Sequence, residues 1–178
     1  VSLKGREMKI LNYGSLNIDH VYKVDHIVNP GETIGSASLQ FFAGGKGANQ
    51  SVAIAKAGAE VWHAGKIGPD GRLLLDTLSS AGVRTALIQE YDGPTGHAII
   101  QVNREGENSI ILFGGGNQLI TEAEIQTALS GFAEGDYLVL QNEINSVPHI
   151  ISEAHRRGLR IYLNPAPFTE DVRSWPLE

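Results

Sequence analysis

Apolar positions along the chain fall into short runs closed by glycine, and the runs alternate in kind. Lys9 to Tyr13 reads as a strand ended by Gly14, and Gly47 to Ala57 as an Ala/Val/Ile-rich helix stopped by Gly58. Glu60 to Ile67 predicts the next strand. Asp70 then opens a helix carrying Leu73, Leu74, Leu75 and Leu78 and stopped by Gly82, before a strand from Val83 to Gln89. Further on, Thr121-Glu122-Ala123-Glu124 is a capping box for a helix through Leu129. Asp136 to Gln141 predicts a short buried strand. Ser146 caps a helix running to Arg157, and Leu159 to Leu163 supplies one more strand. Strands alternating with helices in this way predict βαβ units and an α/β fold built on a mainly parallel sheet.

Four stretches break the rhythm. Residues 20–27, 33–42, 96–102 and 109–113 read as strands with no helix between them, the last two joined by the polar turn Asn103 to Asn108. They predict a smaller antiparallel sheet standing off the main one. The end of the chain, Ser174-Trp175-Pro176-Leu177-Glu178, shows no turn or closing element and leaves Trp175 and Leu177 without a following partner. At the other end, residues 1–8 read as a tag or ragged start.

Composition narrows the field. Of 178 residues, 42% are hydrophobic and 19% charged, enough to bury a core in one domain or slightly more. Lys plus Arg is 14 against 20 Asp plus Glu, a formal charge of -6, which predicts no nucleic-acid-binding stripe. No apolar run is long enough for a membrane span. Cysteine is absent, which excludes disulfides and thiolate chemistry and fits a reducing cytoplasm. The six histidines show no metal-ligand spacing, so no metal site is expected from them.

The densest chemical signal is Phe42-Ala43-Gly44-Gly45-Lys46-Gly47-Ala48-Asn49-Gln50, a glycine-rich loop entering a helix. Such loops bring backbone N–H groups to a ligand at the positive end of a helix, and they also serve as plain tight turns. It is neither a Walker A loop nor a Gly-x-Gly-x-x-Gly fingerprint. Asn17 and Asp19 follow the first strand at i, i+2, a spacing that puts both on one side of an extended chain. Their amide and carboxylate suit adjacent sugar hydroxyls, and equally an Asx turn. Glu143 follows the strand ending at Gln141, at the strand edge where α/β sheets bind ligands, and as a lone carboxylate also suits a solvated loop.

In order, Gly14-Ser15-Leu16-Asn17-Ile18-Asp19-His20, Pro30-Gly31-Glu32-Thr33, Gly44-Gly45-Lys46-Gly47-Ala48-Asn49-Gln50, Gly106-Glu107-Asn108, Gln141-Asn142-Glu143 and Asn164-Pro165-Ala166-Pro167 resemble the ribokinase-like (PfkB) family of carbohydrate kinases. The resemblance covers Lys9 to Pro167, and the Lys46 loop with Asn-x-Asp points to its ribokinase branch. It implies the ribokinase-like α/β fold with an antiparallel β lid, and an ATP-dependent kinase acting on a pentose hydroxyl. By the same resemblance Asn17, Asp19, Gly44, Gly45, Lys46, Asn49 and Glu143 hold the sugar. ATP and Mg2+ are implied cofactors, with a monovalent cation as a further candidate. A homodimer through the lid strands is the implied assembly. The family's catalytic base, Gly-Ala-Gly-Asp anion hole and most of its nucleotide site match nothing between Val1 and Glu178. Residues 9–178 therefore read as the N-terminal portion of such a kinase, inactive alone. The alternatives are a catalytically inactive sugar-binding or regulatory module, and a nucleoside or sugar-acid kinase of the same family.

Overall fold

A computed structural model describes residues 8–177; residues 1–7, which carry most of the expected tag or ragged start, lie outside it, as does Glu178. In chain order its elements are β1 (Ile10–Tyr13), β2 (Asn17–Lys23), β3 (Ser38–Gly44), α1 (Lys46–Lys56), β4 (Val61–Ile67), α2 (Arg72–Ser80), β5 (Arg84–Glu90), β6 (Gly96–Val102), β7 (Asn108–Phe113), α3 (Glu122–Leu129), β8 (Tyr137–Gln141), α4 (Val147–Arg156) and β9 (Arg160–Asn164). Two short 3-10 turns, Gly115–Gln118 and Glu170–Ser174, complete the described residues.

The main sheet has the order β5-β4-β1-β8-β9, with every pairing parallel. β1 is central and buried on both faces, as parallel sheets require. Leu11 and Tyr13 join Leu138, Leu140, Ile125, Leu129, Ile150 and Ile151 in one core, which packs under α3 and α4. On the opposite face, Leu16, Ile18, Ala48, Val61, Ile67, Leu74 and Leu78 form the second core under α1 and α2. Leu74 and Leu78 are one helical turn apart and wholly buried, each stabilising by about 1.5–3 kcal/mol.

The second sheet has the order β3-β2-β6-β7. β2–β3 and β6–β7 are antiparallel as expected, but β2 and β6 pair in parallel, so the sheet is mixed. The reason lies at the root. Asn17, the first residue of β2, pairs with Gly96, the first of β6, and with Gly44, the last of β3. β2 and β6 both leave the main body at that end, and β3 and β7 are their antiparallel neighbours.

Four local expectations are corrected. The strand expected at 20–27 begins three residues earlier, so Asn17 and Asp19 lie inside the ladder, not in a loop before it. The one expected at 33–42 occupies 38–44, because Pro30, Gly31 at φ 81° and the Asn29–Glu32 bonds make a turn upstream. Asp70 does not cap α2; its carboxylate accepts from the Thr95 amide, and Gly71 precedes the helix. Ser146 does precede α4, but at φ 62° its side chain makes no capping bond. The Thr121–Glu124 capping box forms as expected.

At the other end, Val172 and Trp175 join the core under α3 and α4, with Trp175 only 8% exposed, while Leu177 is 55% exposed. The turn Glu170–Ser174 therefore leads Trp175 into the core, contrary to expectation.

Candidate functional site

The crossing between the sheets brings the candidate residues together. β1 ends at Tyr13, and Gly14, Ser15 and Leu16 carry the chain into β2. The loop from Gly44 to Gly47 lies directly against this crossing. Gly47 N–H donates to Ser15 Oγ at 3.1 Å, and Ala48 N–H donates to the Ser15 carbonyl at 3.0 Å. A side chain at Gly47 would collide with the backbone of Gly14 and Ser15, and one at Gly44 with the Asp19 carboxylate. Gly45 adopts φ 92°, which an L side chain rarely does.

α1 has no side-chain cap of its own. Glu143, brought in from beyond β8, takes that place. Its Oε2 accepts from Lys46 N–H at 2.9 Å and from the Ser15 hydroxyl at 2.6 Å, and its Oε1 accepts from Lys46 Nζ at 2.7 Å. The Glu143 side chain is 11% exposed and that of Lys46 is 42% exposed. Burial would raise the Glu143 pKa, but the bonds from the Lys46 side chain, Ser15 and the Lys46 amide outweigh it and hold the group below the usual carboxylate range. The positive end of α1 is thus already neutralised, and the first-turn amides of Lys46, Gly47 and Ala48 are all paired.

Asp19 differs. Its pKa is raised, first by burial and then by the nearby Glu143 charge, with His20 acting in the opposite direction. Asn17 is buried beside it, and its orientation is set from 100 residues away: Asn117 Nδ2 donates to Asn17 Oδ1 at 2.8 Å. Asn117 also accepts from Leu16 N–H at 2.9 Å. With its oxygen engaged, Asn17 offers its NH2 group as a donor. Asn49 stands exposed on the first turn of α1, three residues beyond Lys46.

Asn17, Asp19, Gly44, Gly45, Lys46 and Glu143 therefore share one cluster, whereas the Asn49 side chain makes no bond to it among the described residues and is tied to it only through α1. Sequence reasoning missed Ser15 and Asn117 as members. Ser15 lies inside the motif from Gly14 to His20, whereas Asn117 sits in a 3-10 turn with no periodic pattern to announce it.

Beneath the cluster runs a buried chain of polar bonds. Gln141 Nε2 donates to Asn12 Oδ1, and Asn12 Nδ2 donates to Ser51 Oγ and to the Gly47 carbonyl. Ser51 Oγ lies 2.7 Å from His63 Nδ1, and His63 Nε2 lies 3.2 Å from the Gly14 carbonyl. A carbonyl only accepts, so Nε2 carries the proton and Ser51 donates to Nδ1. Burial pushes the His63 pKa down to about 4, against the opposing pull of that carbonyl, and the ring is neutral at neutral pH.

The cluster presents donors from an amide and acceptors from two carboxylates. Among the described residues no three His, Cys, Asp or Glu side chains converge to hold a metal ion. With the α1 amides paired and two carboxylates in the cluster, it offers no anion-binding cradle for a nucleotide triphosphate.

Comparison with known proteins gives the family and the fold. The pattern of the pfkB family of carbohydrate kinases matches residues 8–164. A ribokinase of Haemophilus influenzae is 37% identical over 159 residues, 86% of this chain and 52% of that protein. The crystal structure of a ribokinase from Cryptococcus neoformans in complex with ADP superposes with a TM-score of 0.83 at 38% identity, covering 96% of this chain and 54% of the other. That of Arabidopsis thaliana ribokinase complexed with ribose and ATP gives 0.77 at 28%, covering 89% and 54%. The chain spans about half the length of the curated relatives it matches.

Proposed function

The chain belongs to the pfkB family of carbohydrate kinases, and from that premise we propose that it supplies the sugar-binding half of an ATP-dependent kinase acting on a hydroxyl of ribose or a related furanose. The observation that carries this reading is the polarity of the cluster. The Asn17 NH2 donates, Asp19 and Glu143 accept, and the one cation, Lys46, is already paired with Glu143 at 2.7 Å. Vicinal hydroxyls donate and accept at once and carry no charge, so they match. A sugar acid would meet two carboxylates and no unpaired cation within the cluster, which favours a neutral sugar.

Asn17, Asp19, Lys46, Asn49, Glu143 and the backbone at Gly44 and Gly45 are the proposed sugar contacts. In that role Asp19 and Glu143 orient the hydroxyl that attacks, and the second sheet acts as a lid excluding water, since phosphoryl transfer depends mainly on positioning. The base and anion hole, and most of the sites for ATP, Mg2+ and any monovalent cation, are assigned to the half of the relatives that this chain does not span. A homodimer through the second sheet and a cytoplasmic location complete the proposal. Among the described residues no helix is long and apolar enough to cross a membrane.

The test has two parts. Calorimetric titration of the complete protein against ribose, 2-deoxyribose, a nucleoside and a sugar acid should show binding to a neutral furanose and none to the acid. A coupled ADP-release assay should then show ribose-dependent turnover by the complete protein and none by the 178-residue chain. Tight binding of the acid would reject the substrate class, and turnover by the short chain would show that the catalytic parts lie within it.

A further inference from the structure

Ser15 is wholly buried where the two loops cross, and its hydroxyl has neighbours of opposite need. Gly47 N–H donates to its oxygen at 3.1 Å, so its single proton is free to go to Glu143 Oε2 at 2.6 Å. Oε2 also takes Lys46 N–H at 2.9 Å. A carboxylate oxygen has two acceptor sites, and both sites of Oε2 are now filled from the protein. Oε1 takes Lys46 Nζ at 2.7 Å and keeps its second site. Both oxygens are pinned, one turned to the loop crossing and one to the cluster.

Resting on the sugar-binding reading above, we infer that Ser15 is a positioning residue, which holds the Glu143 carboxylate so that Oε1 alone accepts the hydrogen of a substrate hydroxyl. Neither the sugar-contact set nor the family pattern requires this division of labour. It follows from the direction of the Ser15 proton. Two charged groups face Glu143: Lys46 from α1, which favours the ionised form, and Asp19 from β2, whose own pKa Glu143 raises. Gln118, from the 3-10 turn, reaches only the Glu143 main-chain carbonyl, at 3.1 Å, and carries no charge. The Ser15 bond is one of the interactions that lower the Glu143 pKa, so removing it moves that pKa upward.

The experiment compares the complete protein with Ser15→Ala in three readouts: ribose affinity at neutral pH, affinity across the acid range, and the Glu143 carboxyl followed by carbon-13 NMR without sugar. Ser15→Ala should bind ribose roughly tenfold more weakly, the scale of one hydrogen bond to a charged group. Its affinity should begin to fall at a higher pH than in the parent, because a carboxylate with a raised pKa is protonated earlier as pH drops. The NMR titration should shift in the same direction. In a Glu143→Gln background, where there is no charge to hold, Ser15→Ala should change affinity much less. Should Ser15→Ala fail to fold, Ser15→Cys keeps the size with a weaker donor and is read in the same three ways. A folded variant with parental affinity and an unmoved Glu143 titration overturns the inference. A parent that binds no sugar overturns the reading beneath it, while the NMR titration still decides whether Ser15 holds Glu143.

Discussion

Half-buried beside a second carboxylate, Asp19 has its pKa raised by desolvation and by Glu143, while His20 acts the other way. A carboxyl whose folded pKa lies above its unfolded value holds its proton more tightly when folded. Its ionisation therefore opposes folding, and stability falls as pH rises through the folded value. Asp19→Asn should accordingly melt at a higher temperature than the parent at pH 7, with the difference closing in acid where Asp19 is protonated. The same change should weaken ribose binding by about 1.5–3 kcal/mol, since a charged acceptor is lost. Differential scanning calorimetry and titration calorimetry together check this, and an unchanged melting point at pH 7 would contradict it. Asp19, Lys46 and Glu143 were legible as candidates because their motifs, taken together and in order, resemble a known family; each alone also suited a turn or a solvated loop. The roles of Ser15 and Asn117 were not, because each is defined by a partner about 100 or more residues away.

Elements divide in the same way. The strands of the main sheet and the helices flanking it were readable because their apolar periodicities are regular, as the fully buried Leu74–Leu78 pair illustrates. Element ends were harder, since caps depend on backbone angles that residue type only suggests. Thr121 and Ser146 both looked like caps. Thr121 is one, accepting from Glu124 N–H, while Glu124 also meets the buried Lys66 at 2.8 Å. Ser146 sits at φ 62° without a capping bond, and its hydroxyl accepts from Asn145 Nδ2. Thr121→Ala should lower stability by about 1 kcal/mol in urea unfolding. Ser146→Gly should raise it by up to about 1 kcal/mol, because glycine relieves the left-handed backbone. A loss of stability in the glycine variant would show that the Asn145 bond matters more than the backbone. The direction of the β2–β6 pairing was equally hidden: hydrophobic patterning sets which face a strand buries, not which way its neighbour runs.

At the scale of the molecule the second sheet is apolar on both faces. Cross-strand pairing sets Phe41 opposite His20 and Phe113 opposite His97, and the two histidines meet diagonally, so the four rings line up with centroids 4.9, 5.5 and 5.0 Å apart. Ile99 and Ile111 lie on that same face, whereas Phe42, Ile110 and Leu112 share the face of Asp19. One face can close on a ligand; the other needs separate cover, and a second copy of the chain is the proposed occupant. Light scattering of the complete protein should give a dimer at micromolar concentration, and Ile111→Asp a monomer. A monomeric parent would count against the assignment.

β2 and β6 rise from the main body side by side, seven residues each. Their far ends therefore stand roughly 20 Å from the root. Asn117 grips Leu16 and Asn17 at that root, and Asp19 is two residues further out. The candidate contacts thus lie near the fulcrum of a lever whose long arm is the sheet itself. A tilt of about 10° at Asn17 would sweep the tip through about 3–4 Å over such a length. Movements of a few tenths of an ångström among groups that meet a ligand would arrive several-fold larger at the far ends of the strands, near Lys23 and Val102, so binding at the root would be reported as displacement of the tip.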